Sequence, residues 1–188
     1  MINLKASVEN LQSACARNGI ALTQHLLIVS IAEQAVYWIE ARPDSNGDFQ
    51  PTVQDTNKRF IASTSKFGIG QVANSNCTPL GLHSIAEKVG GDQSIGTVFK
   101  SRIPVGNLND GVTKGSIVHR ILWLKGLEPG LNQGGAVDTF SRFIYIHGFD
   151  DETTLGKPAS HGCIHLAAAD LIPLYDTIPE GTLVWIER

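Results

Sequence analysis

Toward the end of the chain, Cys163 lies in the run Pro158-Ala159-Ser160-His161-Gly162-Cys163-Ile164-His165-Leu166, with a histidine two positions away on each side. The thiolate is the attacking form of cysteine, and a free thiol is only a few per cent ionised at neutral pH. A nucleophilic cysteine therefore needs a base, a helix N-terminus, or both. The segment after Leu166 is rich in helix formers, so its positive end is expected to favour a Cys163 thiolate. Gly162 leaves the approach to the sulfur open and frees the backbone for an oxyanion pocket. If the backbone is extended, His161, Cys163 and His165 share one face. A further candidate base, His147, closes the run Arg142-Phe143-Ile144-Tyr145-Ile146-His147-Gly148. Its two isoleucines are expected to face the core, with His147 at a strand edge where Gly148 turns the chain. Two other readings compete. His147, His161, Cys163 and His165 are all acceptable zinc ligands, although ligands at i, i+2 and i+4 of one strand converge poorly on a tetrahedral ion. Cysteine is also one of the most buried residue types, and Cys163 could simply be packed.

The elements that must hold these residues follow from periodicity. Leu4, Val8, Leu11 and Cys15 recur at helical spacing and Gly19 supplies a stop, which predicts an amphipathic helix over 3–18. Residues 25–41 read as two strands around a turn near Ala32-Glu33-Gln34, and 41–52 as a polar loop. Residues 58–64 and 68–73 are candidate short strands. Loop then strand follows through Thr78-Pro79-Leu80-Gly81, and strands are expected at 117–126, 142–148 and 181–187. Residues 165–178 favour helix, interrupted or restarted at Pro173. The glycine-rich stretches near 90–96 and 126–135 are candidate mobile flaps over a cleft. Many short strands with glycine turns and two helices of note predict one mainly β domain, a sandwich or barrel with a few short helices.

Bulk composition narrows the function. The 188 residues are 42% hydrophobic and 18% charged, enough for one folded core. A net charge of −3 argues against a nucleic-acid partner, and no apolar run reaches membrane-spanning length. Three cysteines, Cys15, Cys77 and Cys163, leave at least one thiol free. Cys15 and Cys77 are expected to pack, and His25, His83 and His119 have no constellation around them.

Taken together, the histidine in Tyr145-Ile146-His147-Gly148 and the later Ser160-His161-Gly162-Cys163 resemble the catalytic signature of the L,D-transpeptidase (YkuD-type) family. Thr78-Pro79-Leu80-Gly81 resembles that family's Thr-Pro-x-Gly strand, and residues 178–186 its closing strand. The likeness extends over roughly 25–187. It implies a catalytic domain at 25–188, with 1–24 as a helical segment packed on it. It implies that Cys163 attacks a peptide carbonyl and that His147 takes its proton and later gives it to the leaving amine. The carbonyl of Gly148 would orient the imidazole. His161, Gly162 and Cys163 would shape an oxyanion pocket, Ser160 would support the loop, and Tyr145, His165 and Arg142 would meet the substrate.

The implied acyl donor is a peptidoglycan stem tetrapeptide, opened between the L-centre of a diamino acid, commonly meso-diaminopimelate, and the terminal D-Ala. The implied acceptor is an amine or water, with no cofactor or metal. The family's cysteine is acylated by carbapenems, which implies the same for Cys163. His165 departs from the pattern: the family commonly has Arg or Asn there, and a neutral imidazole cannot hold a carboxylate bidentately. Arg120, Arg142 and Lys157 are other sources of positive charge. The first residues do not read as a signal peptide. The expectation is a cytoplasmic L,D-carboxypeptidase trimming soluble muropeptides, or a periplasmic or cell-wall cross-linker if an export signal belongs to the protein. A zinc hydrolase and an inactive muropeptide-binding module are the alternatives.

Overall fold

The computed structural model describes residues 2–52, 58–111 and 115–188. Helix α1 (Leu4–Asn18) is capped at one end by the Asn3 side chain and closed at the other by Gly19 in the left-handed region. The strands are β1 (His25–Ser30), β2 (Ala35–Pro43), β3 (Phe49–Pro51), β4 (Lys58–Ser63), β5 (Gly81–Val89), β6 (Thr97–Lys100), β7 (Ile103–Asn107), β8 (Ile117–Gly126), β9 (Tyr145–Phe149) and β10 (Ile164–Leu166). Helix α2 (Ala168–Thr177) and β11 (Leu183–Glu187) complete the chain.

The strands form one sheet. Along it, β5, β11, β1, β2, β4, β10, β9 and β8 are successive neighbours, and β8 pairs back onto β5, so the wall closes on itself. Closure removes the unpaired edges that an open sheet would expose. Two pairings are parallel, β1 with β11 and β9 with β10; the second carries the site. The β6–β7 hairpin pairs with the start of β8 at Ile117 and Val118, beyond Ile121 where the β5 pairing ends; the β8–β9 register shifts between Val118 and Ile121.

Both faces of the wall are covered. Leu27 and Val29 of β1 join a core with Ile144, Ile146, Ile164, Leu166 and the α2 residues Leu171 and Leu174. Leu26 and Ile28 point the other way, onto Val8, Leu11, Ala14 and Cys15 of α1. This explains why all six residues of β1 are buried, where a strand with one wet face would alternate. In β9 and the residue before it, the two-residue period sends Ile144 and Ile146 to the core, and Tyr145 and His147 to the opposite face.

Several expectations are corrected. Residues 68–73 form no strand; a single bridge, Ile69 to Thr78, joins this loop to itself. The 41–52 segment is not all loop, because β3 folds back onto the end of β2. Pro173 neither interrupts nor restarts α2, which runs through it. The β6–β7 hairpin carries an internal proline and glycine, Pro104 and Gly106, which disguise it in the sequence and suit an edge strand. The 126–135 stretch is not a loose flap. A Cβ on Gly126 would come within 2.0 Å of the Asn132 carbonyl oxygen. The buried Asn132 side chain donates to the carbonyls of Leu80 and Leu82 and accepts from the Glu128 amide.

Leu11 is fully buried between α1 and the wall. Leu11→Ala should therefore lower unfolding free energy by about 2–5 kcal/mol in urea titration. A loss below about 0.5 kcal/mol, the size of a surface change, would mean that α1 does not dock as described.

Candidate active site

The parallel register pairs Ile164 with Ile146, His165 with His147, and Leu166 with Gly148. Cys163 stands one step before this paired stretch, beside Tyr145. The Tyr145 N–H reaches the sulfur at 3.4 Å, and the thiol lies 3.5 Å from the Phe143 carbonyl. The rings of His147 and His165 are 4.7 Å apart, so these side chains occupy the same face of the two strands. Non-local pairing therefore gathers Cys163, Tyr145, His147 and His165.

His147 is buried, and its Nδ1–H donates to the Gly148 carbonyl at 2.7 Å. That bond sets the tautomer and leaves Nε2 as the ring's proton acceptor. Burial holds the imidazole neutral, down to about 4, against the raising effect of the Gly148 bond. Burial pushes the half-buried Cys163 thiol up to about 11, opposed by the Tyr145 N–H and the positive charge of Arg142. The resting pair is thus a neutral thiol and a neutral imidazole. The expected helix-dipole effect on Cys163 is not found, because α2 begins only at Ala168 and its first N–H bonds to Glu152.

The loop that presents the thiol is pinned from three directions. Ser160 Oγ accepts from the Gly162 N–H at 3.2 Å and donates to the Cys163 carbonyl at 2.6 Å. Thr78 Oγ1 donates to the Gly162 carbonyl at 3.0 Å and accepts from the Ser65 N–H. Gly162 has φ +121°, where a side chain is strained, and a Cβ there would lie 3.3 Å from the Cys77 carbonyl oxygen. Thr78 thus has a role beyond opening a strand.

Arg142 is a clasp. Its guanidinium donates to the carbonyls of Gly70, Gln71 and Cys77 and to Ser75 Oγ, tying the 65–80 loop to the approach to β9. It also lines an open cleft of about 210 Å³, shared with Asn74, Asn76, Asp138, Phe143 and His161. Its polar hydrogens are largely spent on the loop, so the expected direct grip on substrate gives way to a positioning role. His161 is exposed at this cleft, 5.4 Å from the Phe67 ring. His165 is buried, stacked on Phe149 at 4.3 Å, and held near 2, mainly by burial. Its Nδ1 has no partner, and its packing does not suit a substrate anchor. Tyr145 is also buried; its backbone, not its ring, meets the sulfur.

Among the described residues no group of three or more His, Cys, Asp or Glu side chains is placed to hold a metal ion. His161 reaches out to the cleft while His165 packs inward, which separates two of the four ligands considered. Cys15 is buried under α1; Cys77 is half-buried near the cleft loop. His83 is buried between the Gly81 carbonyl and Thr139, and His25 and His119 each accept one hydrogen bond, from Trp38 and Gly96. Arg102 and Phe143 escaped the sequence reading. Phe143 is half exposed with φ +56°, a left-handed aromatic beside the sulfur. Only an accumulation of aromatics around 140–145 hinted at it.

A closed β wall thus carries a half-buried cysteine and a buried, oriented histidine on adjoining parts of one parallel strand pair, groups of the kind that cysteine acyl transfer uses. The profile of the L,D-transpeptidase catalytic domain (YkuD) matches residues 24–186, and the chain belongs to that family. No curated protein matches it. Similar solved structures include an L,D-transpeptidase of Xylanimonas cellulosilytica, with 16% identity, TM-score 0.51, 93% of this chain and 68% of that one. L,D-transpeptidase 3 of Mycobacterium tuberculosis gives 17% identity and TM-score 0.51 over 88% and 61%. The chain spans about three fifths of the length of the mycobacterial structures it resembles.

Burial holds His147 and His83 near 4, and His165 lower, against 6.5 for an ordinary imidazole. The unfolded chain therefore takes up protons first as pH falls. Stability should be full above about pH 6.5 and decline progressively toward pH 4. The urea midpoint at pH 5 should lie below that at pH 7. Equal midpoints would contradict buried neutral imidazoles.

Proposed function

We propose that the chain opens the bond between the L-centre of a diamino acid and the terminal D-Ala of a peptidoglycan stem tetrapeptide, through a thioester on Cys163. The carrying observation is the His147–Gly148 bond, which turns the free Nε2 of a neutral imidazole into a base on the face that holds the thiol. His147 takes the thiol proton as sulfur bonds to the carbonyl carbon, giving a tetrahedral oxyanion. The C–N bond then breaks, and His147 returns the proton to the departing amine of D-Ala. An amine or water attacks the thioester, and the proton it loses passes through His147 to the thiol.

The high resting thiol is compatible with this order, because proton and sulfur move together and no standing thiolate is needed. The Gly162 N–H is occupied by Ser160, so the oxyanion falls to the neighbouring amides of His161 and Cys163. Neither of those amides makes a hydrogen bond within the described residues. The acceptor follows from where the protein works. In the cytoplasm, soluble muropeptides and water give an L,D-carboxypeptidase; outside it, a second stem gives a cross-link. The metal-hydrolase reading lacks a converging ligand set, and the binding-module reading leaves the ordered base and thiol without a use.

Incubation with a disaccharide tetrapeptide and mass spectrometry reads the reaction directly. Loss of D-Ala alone means hydrolysis; a dimer, or exchange of D-Ala for another D-amino acid, means transfer. Cys163→Ala should lower the rate by at least about 10³-fold while peptide still binds. A variant that keeps wild-type turnover would end the proposal. A carbapenem should add covalently to the wild type and not to Cys163→Ala, as intact-protein mass reads. The acid limb of kcat/KM should fall near pH 4, where His147 gains its proton and can no longer accept one. An acid limb that persists unchanged in His147→Gln would assign it to another group.

A further inference from the structure

The β6–β7 hairpin turns through Ser101 and Arg102, both in the left-handed region at φ 50° and 68°. A two-residue turn of this kind ordinarily calls for Asn-Gly. Here an arginine takes the strained position, and the turn delivers its guanidinium over the aromatic cluster beside the thiol. The guanidinium carbon lies 4.4 Å from the Trp123 ring centre and 5.2 Å from that of Phe143. Nη1 donates to Tyr145 Oη at 3.1 Å. Phe143 and Tyr145 are the residues whose backbones bracket the Cys163 sulfur. Phe143, whose ring Arg102 approaches, also lines the cleft.

Glu87 is felt at the Tyr145 hydroxyl, yet no carboxylate of the described residues forms an ion pair with Arg102. The guanidinium is half-exposed, oriented by aromatic stacking, and retains N–H groups for an incoming anion. His165 cannot supply that cation, and Arg142 is committed to the loop.

We infer that Arg102 is the carboxylate anchor of this site, reaching across from the hairpin to hold a carboxylate of the acyl donor. The inference rests on the proposed function and names a binding residue within it. Two donor carboxylates share this chemistry: that on the distal centre of the diamino acid and that of the terminal D-Ala.

Donors amidated at one carboxylate or the other separate these sources. Arg102→Met keeps the stacking length and removes the charge. It should raise KM for the free-acid donor roughly 10–100-fold, the worth of a charge-assisted hydrogen bond. On the donor whose anchored carboxylate is amidated, the same substitution should change KM less than about twofold. Arg102→Lys, which keeps charge and loses the fork, should fall between, and guards against a variant that fails to fold. Equal losses on free and amidated donors would reduce Arg102 to a packing residue and overturn the inference, as would no loss at all.

If the wild type neither releases D-Ala nor forms a thioester, the functional reading fails separately. Calorimetry of the same peptides on Cys163→Ala, with and without Arg102→Met, then still decides. A carboxylate-dependent difference sustains the anchor; equal affinity, or no binding, overturns it.

Discussion

The chemistry of this molecule depends on a short parallel pairing, five-residue β9 against three-residue β10. Parallel strands cannot be joined by a tight turn and need a long crossover. Here residues 150–163 make that crossover, and the Ser-His-Gly-Cys segment is its last stretch. The proposed nucleophile, Cys163, therefore rides at the end of a connection whose far side is the strand that carries His147. A one-residue slip in register would send Cys163 to the opposite face and part it from His147. The apolar alternation of Ile144, Ile146, Ile164 and Leu166, all in one core, resists such a slip.

Around that pairing, hydrogen bonds to the backbone take the place of acidic orienting groups. A carbonyl orients His147, Ser160 and Thr78 satisfy the turn at Gly162, and Arg142 gathers the carbonyls of a distant loop. A buried guanidinium without hydrogen-bond partners would be costly. Bonded to three carbonyls and a hydroxyl, Arg142 becomes a clasp whose charge also acts on the Cys163 sulfur. The site is preorganised by polar groups and stays electrically quiet until a substrate arrives.

His165 belongs to the same logic. A cation at its position would face the His147 ring across 4.7 Å. A neutral imidazole stacked on Phe149 adds no charge to that face, and burial holds the low proton affinity of its neighbour. The orphaned Nδ1 of His165 is the cost of that packing. Positive charge is brought in from the β6–β7 hairpin instead, on a turn whose strain is compensated by stacking on Trp123.

By itself, the sequence determined the residue types that carry the chemistry, the spacing of His147 and Cys163, and the local elements. The Leu4-Val8-Leu11-Cys15 stripe, the 117–126 strand and the glycine-closed strand before Gly148 are local periodicities, which neighbours in the chain suffice to encode. It misread the 68–73 loop and the run of α2 through Pro173, and gave no reading of the β6–β7 hairpin, where non-local pairing and packing outweighed local preference. Only the tertiary structure decided that the wall closes, that Arg142 serves a loop, that His165 is packed away, and that Arg102 stacks on the aromatic cluster against which Cys163 packs. Those outcomes depend on which distant groups satisfy one another's hydrogen bonds and buried surface, and spacing along the chain does not carry that information.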